Sequence, residues 1–199
     1  MPRIDIPSHD ETAPSSLQPL FHFVSKRFGF VPDLYRILSV SPHSLTGLIE
    51  MQGALSRTLD ARTRERIALT VSEVNGCNYC ISANSYLGHY FAKLIPEEMA
   101  LNLVGRSLDP KAEAAVKFAR KVSISRGKVE SADLSIVRAA GYSDAQIVEI
   151  IALCAQFSLT NLLANVFDIQ PDFPTMSNGM VAELGDLTHA EGSALFHDN

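Results

Sequence analysis

The sequence has few of the features that mark secreted, membrane and nucleic-acid-binding proteins. Its 199 residues include only three cysteines. This number is small and odd, which does not describe a scaffold held by disulfides. No segment offers about 18 uninterrupted apolar residues, the length that a membrane-spanning helix requires. The start, MPRIDIPSHDETAPSS, is polar and lacks the basic region and apolar stretch of a secretory signal. We therefore expect a soluble cytoplasmic protein.

Basic residues are not in excess either. The formal net charge is -5 and the isoelectric point is about 5.6. Nucleic acids and anionic membranes are bound mainly by concentrated Lys and Arg, so neither is expected as a partner. Hydrophobic residues make up 46% and charged residues 20% of the chain, which is typical of a globular protein with a sizeable core.

The spacing of apolar residues predicts an all-α protein with short arms. Residues 1–16 carry Pro2, Pro7 and Pro14 among polar residues, which predicts an extended N-terminal arm. Over residues 17–169 the apolar spacing is mostly helical, and strand-like alternation never persists, so we predict one helical domain there. Residues 170–199 lose the pattern, which indicates a loosely packed C-terminal arm or tail or an oligomer contact.

Several helix starts are visible as local motifs. Ser41-Pro42 and Asp109-Pro110 each place a capping side chain before a proline that tolerates the first helical position. Ser143 and Gln146 have the spacing of a capping box. The helix that follows them is apolar on more than one stripe, as expected for a helix enclosed by neighbours or by a subunit interface. We therefore expect a homo-oligomer.

The segment Cys77-Asn-Tyr-Cys80 carries the clearest chemistry. A helix beginning after Asp60 should stop at Asn75-Gly76, because Asn and Gly readily adopt the left-handed conformation that closes a helix. Cys77 then opens the next helix, where the unpaired N–H groups and the helix dipole stabilise a thiolate. Residues three apart share a helix face, so Cys77 and Cys80 can reach disulfide distance. This arrangement predicts a reactive dithiol.

The neighbours of the dithiol follow from helix geometry. Asn84 lies on the same face as both cysteines, whereas His89 falls about half a turn away and is predicted to be a packing residue. Cys154 lies in a very apolar helix and is predicted to be core.

Two other interpretations of the dithiol remain open. Free cysteines pack like small hydrophobes, so the pair could simply be buried. A metal site is the second and less favoured alternative, because zinc requires four ligands, no second CxxC or HxxxH lies near, and distant Cys154 with one histidine would have to complete the set.

The run from Arg62 to Cys80 resembles the alkylhydroperoxidase D/carboxymuconolactone decarboxylase (AhpD-like) family. The features that match are Glu65, twelve residues before Cys77, the Asn75-Gly76 helix break and the CxxC motif. It implies an AhpD-like multihelical fold with CxxC at a helix N-terminus, and kinship with the peroxidase-related members of about this length.

The resemblance also implies a thiol peroxidase cycle that needs no cofactor. Cys80 would attack a small-molecule hydroperoxide to give a sulfenic acid, Cys77 would resolve it as a disulfide, and a protein or thiol reductant would restore the dithiol. Glu65 matches the position of the proton-relay glutamate in the family, although by itself it could be an ordinary surface acid. The residues alone favour Cys77 as the thiolate, because it lies nearer the helix terminus.

The sequence departs from the family pattern at Asn84, where peroxidase members typically carry histidine. Asparagine cannot accept a proton, so base catalysis would fall to Glu65 directly or through water. A second position that is histidine in some members is Tyr79 here. These departures leave open a non-catalytic or redox-responsive oligomeric module. A carboxymuconolactone-type decarboxylase fits less well, because that reaction needs no redox dithiol.

Overall fold

The computed structural model describes residues 2–7 and 14–173, and the described residues form helices without any strand. The all-α prediction is confirmed. In chain order the helices are α1 (Gln18–Phe28), α2 (Asp33–Leu38), α3 (Pro42–Leu55), α4 (Ala61–Val74), α5 (Asn78–Tyr90), α6 (Pro96–Leu103), α7 (Pro110–Ser125), α8 (Ser131–Ala139) and α9 (Asp144–Phe167).

The predicted capping residues begin the helices for which they were proposed. The Ser41 side chain accepts from the backbone N–H of Ser44 at the start of α3, and Asp109 accepts from the N–H groups of the first turn of α7. Asp60 caps α4 in the same way. Ser143 and Gln146 form both hydrogen bonds of the capping box at α9. These boundaries were predictable because a cap depends only on residues two or three positions away.

Helix α4 lies at the centre of the fold. It packs against α5, α6, α7 and α9, and six consecutive residues, 67–72, are fully buried. Burying an aliphatic side chain such as Ile67 or Leu69 stabilises the fold by roughly 1.5–3 kcal/mol. The same helix carries Glu65, so the core contacts of α4 fix the position of that side chain.

Helix α9 combines a buried side with an exposed apolar side. With 24 residues and a mean hydropathy of 1.8 it is long and apolar enough to cross a membrane by length and composition, a test that core helices of soluble proteins also pass. It contacts α2, α3, α4, α5, α7 and α8, and it buries polar residues as well as apolar ones. The buried side of α9 therefore belongs to the core of the helical domain.

The predicted arms are only partly described. The backbone N–H of Arg3 donates to the carbonyl of Phe167 at 2.8 Å, and Arg36 Nε donates to the carbonyl of Pro7 at 2.8 Å. The N-terminal segment therefore contacts the end of α9 and helix α2. Residues 8–13 of the predicted N-terminal arm and 174–199 of the predicted C-terminal arm lie outside the described residues.

A buried ion pair ties α4 to α6 and to the loop that leads into α7. Glu98 is 3% exposed, and its carboxylate accepts from Arg66 Nε at 2.6 Å, Ser107 Oγ at 2.6 Å and the backbone N–H of Leu108 at 2.7 Å. Asn102 also donates to it at 3.0 Å. Burial alone would raise the pKa of Glu98, but these hydrogen bonds together hold it below its usual value.

Replacing Glu98 with glutamine should destabilise the protein by about 3 kcal/mol, because Arg66 would remain buried without a counter-charge. The depressed pKa of Glu98 means that its contribution is present above its usual value of 4.5 and is lost as pH falls. Urea unfolding should therefore show a large difference between wild type and Glu98→Gln at pH 7 and a smaller one below about pH 4. The exposed neighbour Glu97→Gln is the matched control. An equal, small effect of both changes would contradict this assignment.

Candidate active site

The break between α4 and α5 positions the two cysteines. Asn75 ends α4 with φ of −89°, and Gly76 follows with φ of +59°, in the left-handed region that favours glycine. The backbone N–H of Cys77 donates to the carbonyl of Ser72 at 2.9 Å, which closes the turn. The chain then starts α5 at once, as the sequence predicted.

Cys77 is the N-cap of α5. Its Sγ accepts from the backbone N–H of Cys80 at 3.2 Å, and the residue is 0% exposed. A hydrogen bond from the Cys80 thiol, opposed by burial and assisted by that backbone N–H, lowers the pKa of Cys77 below its usual value. In the reduced protein the thiolate is therefore stabilised at Cys77, in agreement with the expectation from helix position.

Cys80 lies one turn further along α5 and shares its proton with Cys77. Donation of its S–H to Cys77, together with burial, raises the pKa of Cys80 above its usual value. The side-chain amide of Asn161 on α9 opposes this shift. Both cysteines are free in this structure. Only Cys80 lines the neighbouring cleft, so it is the thiol that a small molecule entering there would meet.

The cleft is formed by α1, α2, α3, α4, α5 and α9 and contains about 750 Å³ of empty space, counting the part open to solvent. The residues that line it are mostly apolar or aromatic, and its polar members include Glu65 and Asn84. Three of the four residues proposed from sequence, Cys80, Glu65 and Asn84, therefore meet at one cavity, with Cys77 directly behind Cys80.

Glu65 is a half-buried acid whose carboxyl group lies in the cleft and changes protonation near neutral pH. Burial raises its pKa to about 7, against the opposing effect of the Arg27 and Arg64 guanidinium groups. Its Oε2 atom is buried and has no hydrogen-bond partner among residues 2–7 and 14–173. An acid of this kind in a cleft is suited to accept or donate a proton at pH 7.

Asn84 takes part in a small polar network beside the dithiol. Its Nδ2 donates to Ser72 Oγ at 3.1 Å, and Asn161 Nδ2 approaches the same oxygen at 3.4 Å. Asn75 Nδ2 donates to Asn161 Oδ1 at 2.9 Å. The network joins α4, α5 and α9 around the cysteines, so Asn84 contributes orientation and hydrogen bonding rather than proton transfer.

The match to a family model covers these same elements. Residues 42–89, from the start of α3 almost to the end of α5, match the carboxymuconolactone decarboxylase family. The fold matches the crystal structure of an AhpD core, an uncharacterized peroxidase-related protein from Ralstonia eutropha JMP134, with a TM-score of 0.76 and 26% identity over 86% of this chain and 92% of that one. The chain is therefore similar to AhpD/carboxymuconolactone decarboxylase proteins, in the sequence of residues 42–89 and in its fold.

Other solved structures share the AhpD-like fold. An uncharacterized peroxidase-related protein from Silicibacter sp. TM1040 has a TM-score of 0.76 and 24% identity, with 86% of this chain and 92% of that chain covered. The debrominase Bmp8 has a TM-score of 0.73 and 20% identity, with 91% and 96% covered. No curated protein sequence matches the chain. The predicted AhpD-like multihelical fold with CxxC at a helix N-terminus is thus confirmed.

The residues that were assigned structural roles occupy different places in the AhpD-like fold. His89 does not line the cleft, and its Nδ1 lies 3.4 Å from the carbonyl of Leu94. Cys154 is buried in the core of α7 and α9, and burial raises its pKa to about 12. Both expectations are confirmed, and neither residue takes part in the dithiol site.

Tyr79 lies between the two cysteines in the first turn of α5. It is 3% exposed, and its ring packs against Phe173 with 6.2 Å between centroids. Burial, with the nearby carboxylate of Asp172, raises the pKa of the Tyr79 phenol above its usual value. Tyr79 therefore stays neutral and forms part of the wall of the cleft.

Sequence reasoning missed several residues of the site because they come from distant segments. Arg27 of α1 and Arg64 of α4 line the cleft. Ser72 accepts a hydrogen bond from Asn84 and another from Asn161. One signal was available for Ser72, which lies seven residues after Glu65 and so shares its helix face. Asn161 stands out as a polar residue inside an apolar helix.

No group of three or more His, Cys, Asp or Glu side chains lies together within the described part of the chain.

Proposed function

We propose that this protein is a thiol-dependent peroxidase that reduces small-molecule hydroperoxides through a dithiol–disulfide cycle. The observation that carries the proposal is the meeting of Cys80, Glu65 and Asn84 in one cleft, with Cys77 hydrogen-bonded behind Cys80. The match of residues 42–89 to the carboxymuconolactone decarboxylase family model and the likeness to a peroxidase-related protein support an enzymatic role.

In the first step the Cys80 thiolate attacks the terminal oxygen of a hydroperoxide, ROOH. The S–O bond forms as the O–O bond breaks, so that Cys80 becomes a sulfenic acid and ROH leaves after taking up one proton. Glu65 accepts the proton of the Cys80 thiol, directly or through water, and returns it to the departing alkoxide. Asn84 orients the polar groups around the sulfur.

In the second step Cys77 attacks the sulfenic sulfur of Cys80. The S–S bond forms and the oxygen leaves as water, so that the two thiols have supplied the two electrons that reduced the peroxide. A protein dithiol or small thiol then exchanges with the disulfide and restores both cysteines. No cofactor enters this balance.

The assignment of Cys80 as the attacking sulfur rests on access. In the resting protein the proton of the pair lies on Cys80, because Cys77 is the better thiolate. Cys77, however, is sealed from the cleft, whereas Cys80 faces it. Access to the cleft therefore decides which sulfur attacks the hydroperoxide. Transfer of its proton to Glu65 can convert Cys80 to the thiolate, whereas no proton transfer can make the buried Cys77 accessible.

The reductant sets the expected location of the protein. A dithiol that must be re-reduced in each cycle needs a reducing compartment, so we place the protein in the cytoplasm. The partners proposed are a hydroperoxide and a protein or thiol reductant.

The proposed function is tested by stopped-flow mixing of reduced protein with cumene hydroperoxide, followed by mass spectrometry of the Cys77–Cys80 disulfide. Rapid formation of one disulfide per chain, with one equivalent of cumyl alcohol, is the expected result. Thiols that stay reduced would exclude a peroxidase. The dithiol would then be left to disulfide exchange or to a redox-responsive module, the alternatives that Asn84 in place of histidine keeps open.

We also propose that the protein is a homo-oligomer that pairs through α9. The exposed stripe of α9 consists of apolar residues at intervals of three to eight positions along one face: Val148, Ile151, Leu159, Leu162 and Val166. It extends over about 27 Å at the rise of an α-helix and includes no charged residue. A second copy of the same stripe is a complementary partner in a two-fold interface, because each copy buries what the other exposes.

Light scattering should give a mass that is a multiple of 21.7 kDa for the wild-type chain. The double change Leu159→Asp and Leu162→Asp should reduce it to the monomer mass, because both carboxylates would lie inside the apolar contact. Ile136→Asp, at an equally exposed position on α8, is the control and should keep the wild-type mass. A wild-type monomer would refute the interface.

A further inference from the structure

Among the charged residues that line the cleft, positive charges outnumber negative ones. Two of them are the arginines Arg27 and Arg64, and the third is Glu65; no other lining residue carries a charge. The two guanidinium groups lie close enough to act on the Glu65 carboxyl and on each other. This is a local concentration of positive charge in a chain whose formal net charge is -5.

Both arginines are held in place by neighbouring groups. The Arg27 guanidinium stacks over the ring of Phe28, 5.3 Å from its centroid, at the end of α1. Arg64 is half-buried, and its Nη1 donates to the carbonyl of Leu59. Neither arginine forms an ion pair within 4.0 Å of a carboxylate in the described ranges. Their charge is therefore available to a molecule in the cleft.

Glu65 does not cancel this charge at neutral pH. Its pKa of about 7 leaves it about half protonated, so the lining carries two positive charges and on average about half a negative one. Asp60 also acts on Arg64, but it caps α4 and does not line the cleft. The net field in the cleft is positive.

The rest of the lining is mostly apolar and aromatic, and its uncharged polar members are Gln52, Ser56, Asn84, Gln156 and Thr160. Phe28, Tyr35, Tyr79, Phe157 and Phe173 contribute rings, and aliphatic side chains of Leu34, Leu55, Leu87 and Leu153 lie between them. Tyr35 is held by donation of its hydroxyl to Gln52 Oε1 at 3.0 Å. A pocket of this kind favours a ligand with an apolar or aromatic body and a few placed polar groups.

We propose that the cleft selects anionic amphiphiles, and that Arg27 and Arg64 bind the carboxylate of an organic hydroperoxide whose apolar body lies against the aromatic wall. The substrate class follows from the proposed peroxidase function, whereas the anion site itself does not depend on it. Guanidinium groups suit a carboxylate because they donate from a planar fork and remain charged. Arg27 and Arg64 are thus specificity-determining residues.

Binding is tested first with a ligand that cannot react. Calorimetry should show that the reduced wild-type protein binds 4-isopropylbenzoate at least about tenfold more tightly than its methyl ester. The preference should fall to about one in the double variant Arg27→Gln and Arg64→Gln, and should fall as salt is raised, because the pairing is electrostatic. Arg27→Lys should retain part of it.

Turnover is then compared for 4-(2-hydroperoxypropan-2-yl)benzoate and its methyl ester. The wild type should oxidise its dithiol roughly tenfold faster with the acid at low concentrations of substrate, and the double variant should show equal rates. The ratio of acid to ester isolates recognition, because any effect of the arginines on Glu65 acts on both substrates alike. Arg138→Gln, at an exposed arginine of α8, removes one positive charge as each single substitution in the cleft does; it is the control and should keep the wild-type ratio.

The outcomes separate this inference from the peroxidase proposal. Equal binding and equal rates for acid and ester in the wild type would overturn the anion site and leave the peroxidase intact. Selective binding of the benzoate with no oxidation by either hydroperoxide would support the anion site and overturn the peroxidase. If Arg64→Gln unfolds the chain, Arg27→Gln alone should still reduce the preference by about threefold, and an unchanged ratio there would refute the assignment.

Discussion

Changing Cys80 to serine is expected to lower the rate of hydroperoxide consumption by at least about a thousandfold, the scale on which loss of a nucleophile acts. Serine keeps the size of the side chain, so the fold should survive. Its hydroxyl remains protonated and cannot carry the reversible oxidation that the cycle needs. The rate of cumene hydroperoxide loss, measured with an excess of dithiol, checks this result.

Changing Cys77 to serine should instead stop the cycle after its first step. Cys80 would still face the cleft, so one equivalent of hydroperoxide should produce a sulfenic acid that dimedone traps at Cys80. The control is Cys154→Ala, which removes the third thiol, in the core. This variant should still oxidise its Cys77–Cys80 pair rapidly. Dimedone trapping at Cys77 in Cys80→Ser, or full turnover in that variant, would show that Cys77 is the attacking cysteine.

Changing Glu65 to glutamine should lower the peroxidase rate about a hundredfold at pH 8, because the amide cannot accept the thiol proton. In the wild type the rate should rise with pH through a step near 7, since the carboxylate form of Glu65 is the base. The variant should lose that step. Glu73→Gln, an exposed acid of the same helix, should keep it. An unchanged step in Glu65→Gln would remove Glu65 from the mechanism.

The same substitution should change stability with a predictable sign. Because the pKa of Glu65 is raised from 4.5 to about 7 in the folded state, its protonated form stabilises the fold. That contribution is fully present below pH 4.5 and is lost as pH rises through 7. Glu65→Gln should therefore be more stable than the wild type at pH 8, by up to about 3 kcal/mol, and similar at pH 4.5. Urea unfolding at both pH values measures the difference.

The parts of this protein that were predictable from sequence are those determined by near neighbours. The break at Gly76 and the caps at Ser41, Asp109 and Ser143 depend on residues within one turn, and all were confirmed. The placement of Glu65 near the dithiol came from spacing in a family motif. These inferences needed no knowledge of how the helices pack.

The remaining parts of the site depend on tertiary packing. Arg27 reaches the cleft because α1 lies beside it, and Asn161 reaches Ser72 across 89 residues of sequence because α9 packs on α4. No local pattern encodes these approaches. The sequence also left open which of Cys77 and Cys80 attacks the hydroperoxide. Helix position determines which thiolate is stabilised, but tertiary packing determines which sulfur is accessible.

The capping role of Cys77 links the oxidation state of the protein to the stability of its own helix. The sulfur that accepts from the backbone N–H of Cys80 is the one that the proposed disulfide would use. Oxidation removes its negative charge and weakens the cap, so the first turn of α5 is held more firmly in the dithiol form. If the cap contributes about 0.5 kcal/mol, the reduction potential of the pair is about 10 mV higher than it would be without it. The cap at the start of α5 therefore favours the reduced dithiol over the disulfide by a small amount.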